Sequence, residues 1–593
     1  MRRLYLLACA AACSSSARPV TPTGAGRAEL VVYNARIPTL DDAKPEVSAL
    51  AVAHGQIIAT GDDAAIRALA SPGTVAIDAH GRRVIPGLID DHAHYIRGGL
   101  TWNIEVRWDG VPSLADGLRL VHEQAKRTPP GQWVRVVGGW TPWQFTERRL
   151  PTRADLDAAS PDRPAYVQYF YSVAIVNTLG LRELGLTKET QTPRGTRLER
   201  DASGELTGAL IADPHPGLMY QTVARLPSLA PDDQQNSTIQ LFRTLARYGL
   251  TGEVDAGGGG HEFPKDYAAI EAVAARHGLA ARAAINLFAQ HPGTELDDFR
   301  SWMQIAHAGQ KFDDEDVLEL HGAGEYLLWA TTDFENFRSA RPEIKPEAKA
   351  ALRPVVQEMV RQRWPFAMHA TYDETIANVL DVLEDVNRET PFAGLRFSFE
   401  HCETISEQSI RRIKALGGGV SIQSKMVVLG DDFVARYGAE TAKHSPPLRK
   451  LLELGVPFGL GTDATRSSFN PFVTLHWAVT GKTASGRVLY GADNRLSRLE
   501  ALRAHTVGSA WFAGEDDHRG RLQVGQRADF AMLTADYFSV PEHDISAIES
   551  VLTVVQGHVV HAAADYSALG PAPLAPSPSW SAVGHQDPYW QRR

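Results

Sequence analysis

The sequence predicts an α/β fold: a (β/α)8 TIM barrel, a small composite β-sandwich domain built from both chain ends, and an inserted lid subdomain. Three observations predict it. Short apolar stretches alternate with helical patterns and count to eight. Four of the eight stretches end in His or Asp. Residues 28–83 and 519–562 flank the series and share short strand-like pieces separated by turn signals, so the two ends are expected to form one β-domain.

Composition bounds the alternatives. The chain has 593 residues, 44% hydrophobic and 22% charged, which is ordinary for a globular protein and excludes wholly disordered, collagen-like and polytopic membrane classes. The formal net charge of −10 gives no basic face for nucleic acid. Three cysteines, Cys9, Cys13 and Cys402, exclude a disulfide framework for the folded body.

Residues 1–27 read as an address. Arg2 and Arg3 precede a short apolar run, and Ala11-Ala12-Cys13 followed by serines resembles a bacterial lipoprotein processing site. The expectation is export, lipidation at Cys13, removal of Cys9 with the signal, and a periplasmic or outer-membrane-anchored protein that meets the membrane only through its lipid. Cys402 then has no partner with which to mispair.

The eight strands are expected at 84–90, 250–255, 281–288, 317–321, 365–368, 395–400, 419–423 and 456–461. Helical periodicity falls at 236–248, 347–363, 375–387 and 407–416, with Pro354 read as the start of the helix proper in the second of these. The barrel spans 84–518. Residues 95–230 separate strands one and two by far more than the roughly 30 residues of a βα unit, so they read as a lid over the functional face. Residues 563–593 form a C-terminal tail, of which 571–581 is Pro/Ala/Ser-rich with no evident chemistry.

The chemistry sits where strands end. In His92-Ala93-His94, residues two apart share a face, so both imidazoles can enter one site. His369, His401 and Asp463 close later strands and converge on the same barrel mouth. A divalent ion held by such groups lowers the pKa of its water toward about 7, and a neighbouring carboxylate can move the proton. Asp463 is the candidate for that role. Trp133, Trp140, Trp143 and Phe145 read as packing of the lid or lining of a substrate pocket, Arg466 and Lys425 as solvated loop charges or binders of a substrate carboxylate, and Cys402 as turned away from the pocket.

With these residues in place, the chain resembles the amidohydrolase superfamily, and within it amidohydrolase family 3, which includes N-substituted formamide deformylases. Residues 84–94 resemble the hallmark first strand. His369 and His401 match the single histidines of strands five and six, and Asp463 matches the strand-eight aspartate. The runs 151–161 and 520–530 resemble that family's insertion and tail, and the likeness spans roughly 28–562. One departure stands out: many relatives bridge two metals with a carboxylated strand-four lysine, and 313–330 holds no lysine. Register against Gly322-Ala323-Gly324 puts Glu319 near that position as a bridging carboxylate, with His321 on the same face; the other readings are a Glu319 paired elsewhere and a single-metal site. The resemblance implies zinc, one or two ions, a small amide-type substrate, a homodimer, and cleavage of a C–N bond other than a peptide bond. Deamination, cyclic-amide opening and lactone or ester hydrolysis by the same site stay open, as does a non-catalytic surface binding lipoprotein.

Overall fold

The computed structural model describes residues 27–212, 215–334 and 336–585. Cys9 and Cys13 lie outside the described residues, and Cys402 is buried with a free thiol. Among the described residues no helix is long and apolar enough to cross a membrane.

Eight parallel strands form the barrel in chain order: β1 Leu88–Ala93, β2 Leu250–Asp255, β3 Arg282–Leu287, β4 Leu318–Ala323, β5 Phe366–Ala370, β6 Phe397–His401, β7 Gly419–Gln423 and β8 Phe458–Gly461. They are buried along nearly their whole length, as apolar strands walled by helices must be. The seam between β1 and β8 is stitched just past the strand ends. Asp463 N–H donates to the His92 carbonyl at 2.9 Å and His94 N–H to the Ala464 carbonyl at 2.7 Å. The seam therefore lies where the predicted ligands stand.

The first strand is shorter than its apolar run suggested. The run breaks at Gly87, where a Cβ would lie 2.1 Å from Thr251 Oγ1, so only glycine lets the chain cross β2 at this point. Val84–Pro86 leaves the barrel and pairs antiparallel with Phe530–Leu533. The β-domain thus takes three residues that the sequence reading gave to the barrel. It consists of one sheet of N-terminal strands (Gln56–Gly61, Ala49–Ala53, Leu30–Tyr33, Val75–Asp78) and one sheet that joins Val84–Pro86 to Phe530–Leu533, Ser550–Val555 and His558–Ala562. A shared core of Val32, Leu50, Ile77, Phe530, Leu552 and Val554 lies among them.

The lid is a five-stranded sheet, ordered Thr196–Arg200, Leu206–Ala212, Val173–Val176, Ala165–Tyr169 and Val134–Val136, with an apolar core of its own that includes Trp133. Trp140 stacks on Phe145, and Trp143 Nε1–H reaches Asp432 Oδ1 at 3.2 Å, so these aromatics pack and pin the lid. The helix read as beginning at Pro354 instead runs Pro346–Gln362. Pro346 fills the first position, where a missing N–H costs nothing, and Pro354 sits inside. In the tail, residues 572–582 lie along the barrel and lid, accepting hydrogen bonds from Asn103, Gln124, Asn236 and Gln240.

Candidate metal centre

At the C-terminal mouth of the barrel six buried side chains converge: His92 from β1, His94 just past it, Glu325 past β4, His369 from β5, His401 from β6 and Asp463 past β8. Two triads have ligand atoms that all lie within 4.8 Å of one another, His92–His94–Asp463 and His92–Glu325–His401. In the first, Asp463 Oδ1 is 3.2 Å from His94 Nε2 and 3.7 Å from His92 Nε2. In the second, Glu325 Oε2 is 2.9 Å from His401 Nε2 and 3.8 Å from His92 Nε2. His369 Nδ1 joins that oxygen at 2.8 Å, and the other oxygen, Oε1, is 3.8 Å from His94 Nε2.

These spacings fit a divalent cation. Metal–ligand bonds of about 2.0–2.1 Å in a tetrahedron put ligand atoms about 3.3 Å apart. The outer ring nitrogens are arranged to match. His92 Nδ1–H donates to Glu400 Oε2 at 3.0 Å and His94 Nδ1–H to the Gly257 carbonyl at 2.6 Å, which leaves each Nε2 lone pair facing the centre. His92 Nε2 is buried with no hydrogen-bond partner, as expected of an atom meant for a metal.

Local backbone shape aims the ligands. His401 and Asp463 adopt φ of +79° and +55°, a left-handed conformation that non-glycine residues hold only where the surroundings enforce it. Gly324, at φ +132°, allows the turn that brings Glu325 back over the mouth; a Cβ there would meet the Ala367 carbonyl at 2.5 Å. Glu325 N–H then donates to the Ala256 carbonyl at 2.9 Å, and its own carbonyl accepts from His369 N–H at 3.0 Å.

Glu319, the predicted bridge, does not reach the cluster. It sits near the N-terminal end of β4, where the short strand Gln310–Lys311 pairs beside it and Lys311 binds its carboxylate. His321 lies on that same side, 4.0 Å from Glu319 Oε1. The carboxylate among the imidazoles is Glu325, six residues on. The other ligands all stand at or just past a strand's C-terminal end, and once β4 is seen to end at Ala323, Glu325 obeys that rule while Glu319 does not. Lys425 and Arg466, read as solvated, are both buried. Lys425 opens the helix after β7 and places Nζ 3.4 Å from Asp463 Oδ2. Cys402 faces away from the centre, its thiol against the Glu400 carbonyl.

Burial penalises every charge here, and the partners decide the outcome. Burial would raise the Asp463 carboxyl, but Lys425, His92 and His94 hold it well below the usual range. Burial would raise Glu325 too, but His369 and His401 outweigh it and hold the carboxyl well below the usual range. His401 is pushed down to about 4 by burial and by Lys425. Both carboxylates are thus ionised and His401 neutral at neutral pH; at His92 burial would lower the imidazole, but Asp463 and Glu400 raise it well above its ordinary value, so a bound cation would displace that proton.

The sequence pattern that defines the amidohydrolase family matches residues 75–561. The chain belongs to the amidohydrolase family. It is 26% identical to protein LONG AFTER FAR-RED 3 of Arabidopsis thaliana over 92% of this chain and 93% of that one. It is 23% identical to N-substituted formamide deformylase of Arthrobacter pascens over 89% of this chain and 97% of the relative. Among solved structures, an uncharacterized metal-dependent hydrolase from Pyrococcus horikoshii shares the fold with TM-score 0.63 and 20% identity, covering 87% of this chain and 99% of its own. The zinc complex of atrazine chlorohydrolase TrzN from Arthrobacter aurescens does so with TM-score 0.51 and 17% identity, over 90% and 95% of the two chains. Family membership and this fold support a metal-dependent hydrolase.

Proposed function

We propose that this amidohydrolase cleaves the C–N bond of an amide or N-substituted formamide, using two zinc-class divalent ions bridged by Glu325. One observation carries the reading. Glu325 lies between the His92–His94–Asp463 group and the His369–His401 pair, with an oxygen toward each. The choice of bond is supported by the likeness to the Arthrobacter pascens deformylase.

His92, His94 and Asp463 would hold one ion, His369 and His401 the other, and Glu325 both. When bound, such ions lower the pKa of a coordinated water toward about 7 and polarise the substrate carbonyl. The chain's own groups do the rest. Asp463 directs Oδ1 at the histidines, and its Oδ2, kept ionised by Lys425, accepts the proton of the attacking water and delivers it to the leaving nitrogen. Glu400 and the Gly257 carbonyl fix the tautomers of His92 and His94. The lid covers the mouth and limits bulk water.

The test joins elemental analysis to a panel of N-formyl, N-acyl, lactone and ester substrates. Two metals per chain with turnover of formamides or amides is the expected result. One metal per chain in fully active enzyme would remove the bridge, and turnover confined to lactones or esters would overturn the C–N assignment.

A further inference from the structure

The cleft at the metal centre is lined not only by His94 and Asp463 but also by Arg97, Tyr171 and Tyr220. Arg97 belongs to the short helix Tyr95–Gly99 that follows the His92-Ala93-His94 turn. Its Nη2–H donates to the Tyr171 hydroxyl at 3.1 Å, and its Nε is buried without a hydrogen-bond partner. Its Nη1 lies only 3.8 Å from where a Cβ on Gly258 would stand, next to the Gly257 carbonyl that orients His94. The guanidinium thus lines the same cleft as His94 and Asp463.

On the other face of Tyr171 stands Arg466, 4% exposed, its guanidinium carbon 5.5 Å from the ring centroid. Its Nη1–H donates to the Val137 carbonyl at 3.0 Å, and its Nε too is buried without a hydrogen-bond partner. Among the described residues, no carboxylate forms an ion pair with either arginine. Arg97 is half-buried with its Nε enclosed, whereas Arg83 and Arg519, buried like Arg466, each bind a carboxylate at 2.9 Å. A buried guanidinium with no anion carries a desolvation cost that a counter-ion would relieve, and its planar fork matches a carboxylate better than any other common group. Arg466, buried without a carboxylate partner, and Arg97, half-buried on the cleft, make a positive corner beside Tyr171 that an anionic group would complement.

We infer that the substrate carries a carboxylate next to its scissile amide, and that Arg97, held by Tyr171 and reinforced by Arg466, binds it. The inference rests on the hydrolase reading above and narrows its substrate to N-formyl or N-acyl derivatives of amino acids and related carboxylic acids. Arg97 is a specificity residue in this scheme: it anchors one end of the substrate so that the carbonyl meets the metal centre at the other.

The test uses the metal-loaded full chain and a matched pair, N-formylphenylalanine and N-formylphenethylamine, which differ only by the carboxylate. The wild-type protein is expected to favour the acid in kcat/KM by roughly 100-fold. Arg97→Met should bring that ratio near one with metal content unchanged, mainly through KM for the acid, and Arg97→Lys should recover part of it. A wild-type preference for the amine derivative, or an Arg97→Met protein that keeps the ratio, overturns the inference. A second readout needs no turnover: phenylalanine, but not phenethylamine, should raise the melting temperature of the wild-type protein, and Arg97→Met should lose that rise. If no amide is cleaved but the carboxylate-dependent rise is seen, the hydrolase reading fails and the anion site stands. If amides are cleaved and the rise is missing, the reverse holds.

Discussion

Glu325 and His369 meet twice. The Glu325 carbonyl accepts from His369 N–H at 3.0 Å, and its carboxylate Oε2 lies 2.8 Å from His369 Nδ1. This double contact joins β4 to β5 where their ladder is thin, since the two strands pair only at Ala323 and Phe366. It also fixes the carboxylate in the middle of the centre. Glu325→Gln should keep the backbone contact and remove the charge, lowering metal affinity by about 10–100-fold and activity with it. Glu319→Gln, which breaks only a partly exposed pair with Lys311, should leave metal content intact and cost at most about 1 kcal/mol. Metal analysis and chemical denaturation of the two variants check this, and equal metal loss in both would contradict it.

Chelation should act on fold as well as on activity. Two buried carboxylates and four imidazoles share the mouth, and a cation that binds only the folded state stabilises it by mass action. Dialysis against a chelator is expected to abolish turnover and lower the melting temperature, with both restored by zinc. A melting temperature indifferent to metal would argue against a cation at this cluster.

Asp463→Asn keeps the shape of the side chain and removes the proton acceptor. kcat should fall by about 100-fold or more, while melting temperature shifts by only a few degrees. Lys425→Met should give a smaller loss, because it removes the cation 3.4 Å from Oδ2 rather than the carboxylate itself. Steady-state kinetics and calorimetry on both variants test the ordering, and a larger loss for Lys425→Met would reverse the roles.

On the far side of the barrel, Arg519 binds Glu515, Asp529 at 2.9 Å and the Thr251 carbonyl at 3.0 Å, tying β2 to the β-domain. Burial would raise the Glu515 carboxyl, but Arg519 and Arg282 hold it at about 2, against an ordinary value of 4.5. A depressed folded pKa gives stability that is complete above about 4.5 and is lost as pH falls toward about 2. The Glu515→Gln protein should therefore show a shallower loss of melting temperature across that window than the wild type. Parallel profiles would contradict the assignment.

The tail should behave as a strap. Asn236 Nδ2–H donates to the Ala575 carbonyl at 3.0 Å and Asn103 Nδ2–H to the Ser577 carbonyl at 2.8 Å, linking the helix Pro231–Arg247 that precedes β2, and the inserted region, to the chain end. Truncation after residue 571 is expected to cost several kcal/mol, at about 1 kcal/mol per hydrogen bond, and to make the lid more open to proteolysis. Denaturation curves and limited digestion measure it, and an unchanged midpoint would show the tail to be passive.

The barrel was legible because its signal is local. Each strand is a short apolar run, each helix a periodic one, and His92, His94, His369, His401 and Asp463 stand at or just past strand ends that can be found by reading along the chain. Glu325 was missed because strand length, not residue type, decides it: β4 runs to Ala323, two residues past the apolar run that seemed to end it. Lys425 and Arg466 were misjudged because burial of a charge depends on what covers it, and that cover comes from segments hundreds of residues away.

The sequence by itself determined the family, the barrel, and the histidines and aspartate that its strands present, since alternation along a strand sets which side chains share a face. Only the tertiary structure decided which carboxylate joins them, where the first strand breaks, and which cations face the cleft. Those depend on close approaches between distant segments: Gly87 against Thr251, Gly324 against Ala367, and Arg97 against Tyr171 of the lid. No local pattern encodes such contacts, because their energy comes from packing and desolvation that exist only once the chain has folded.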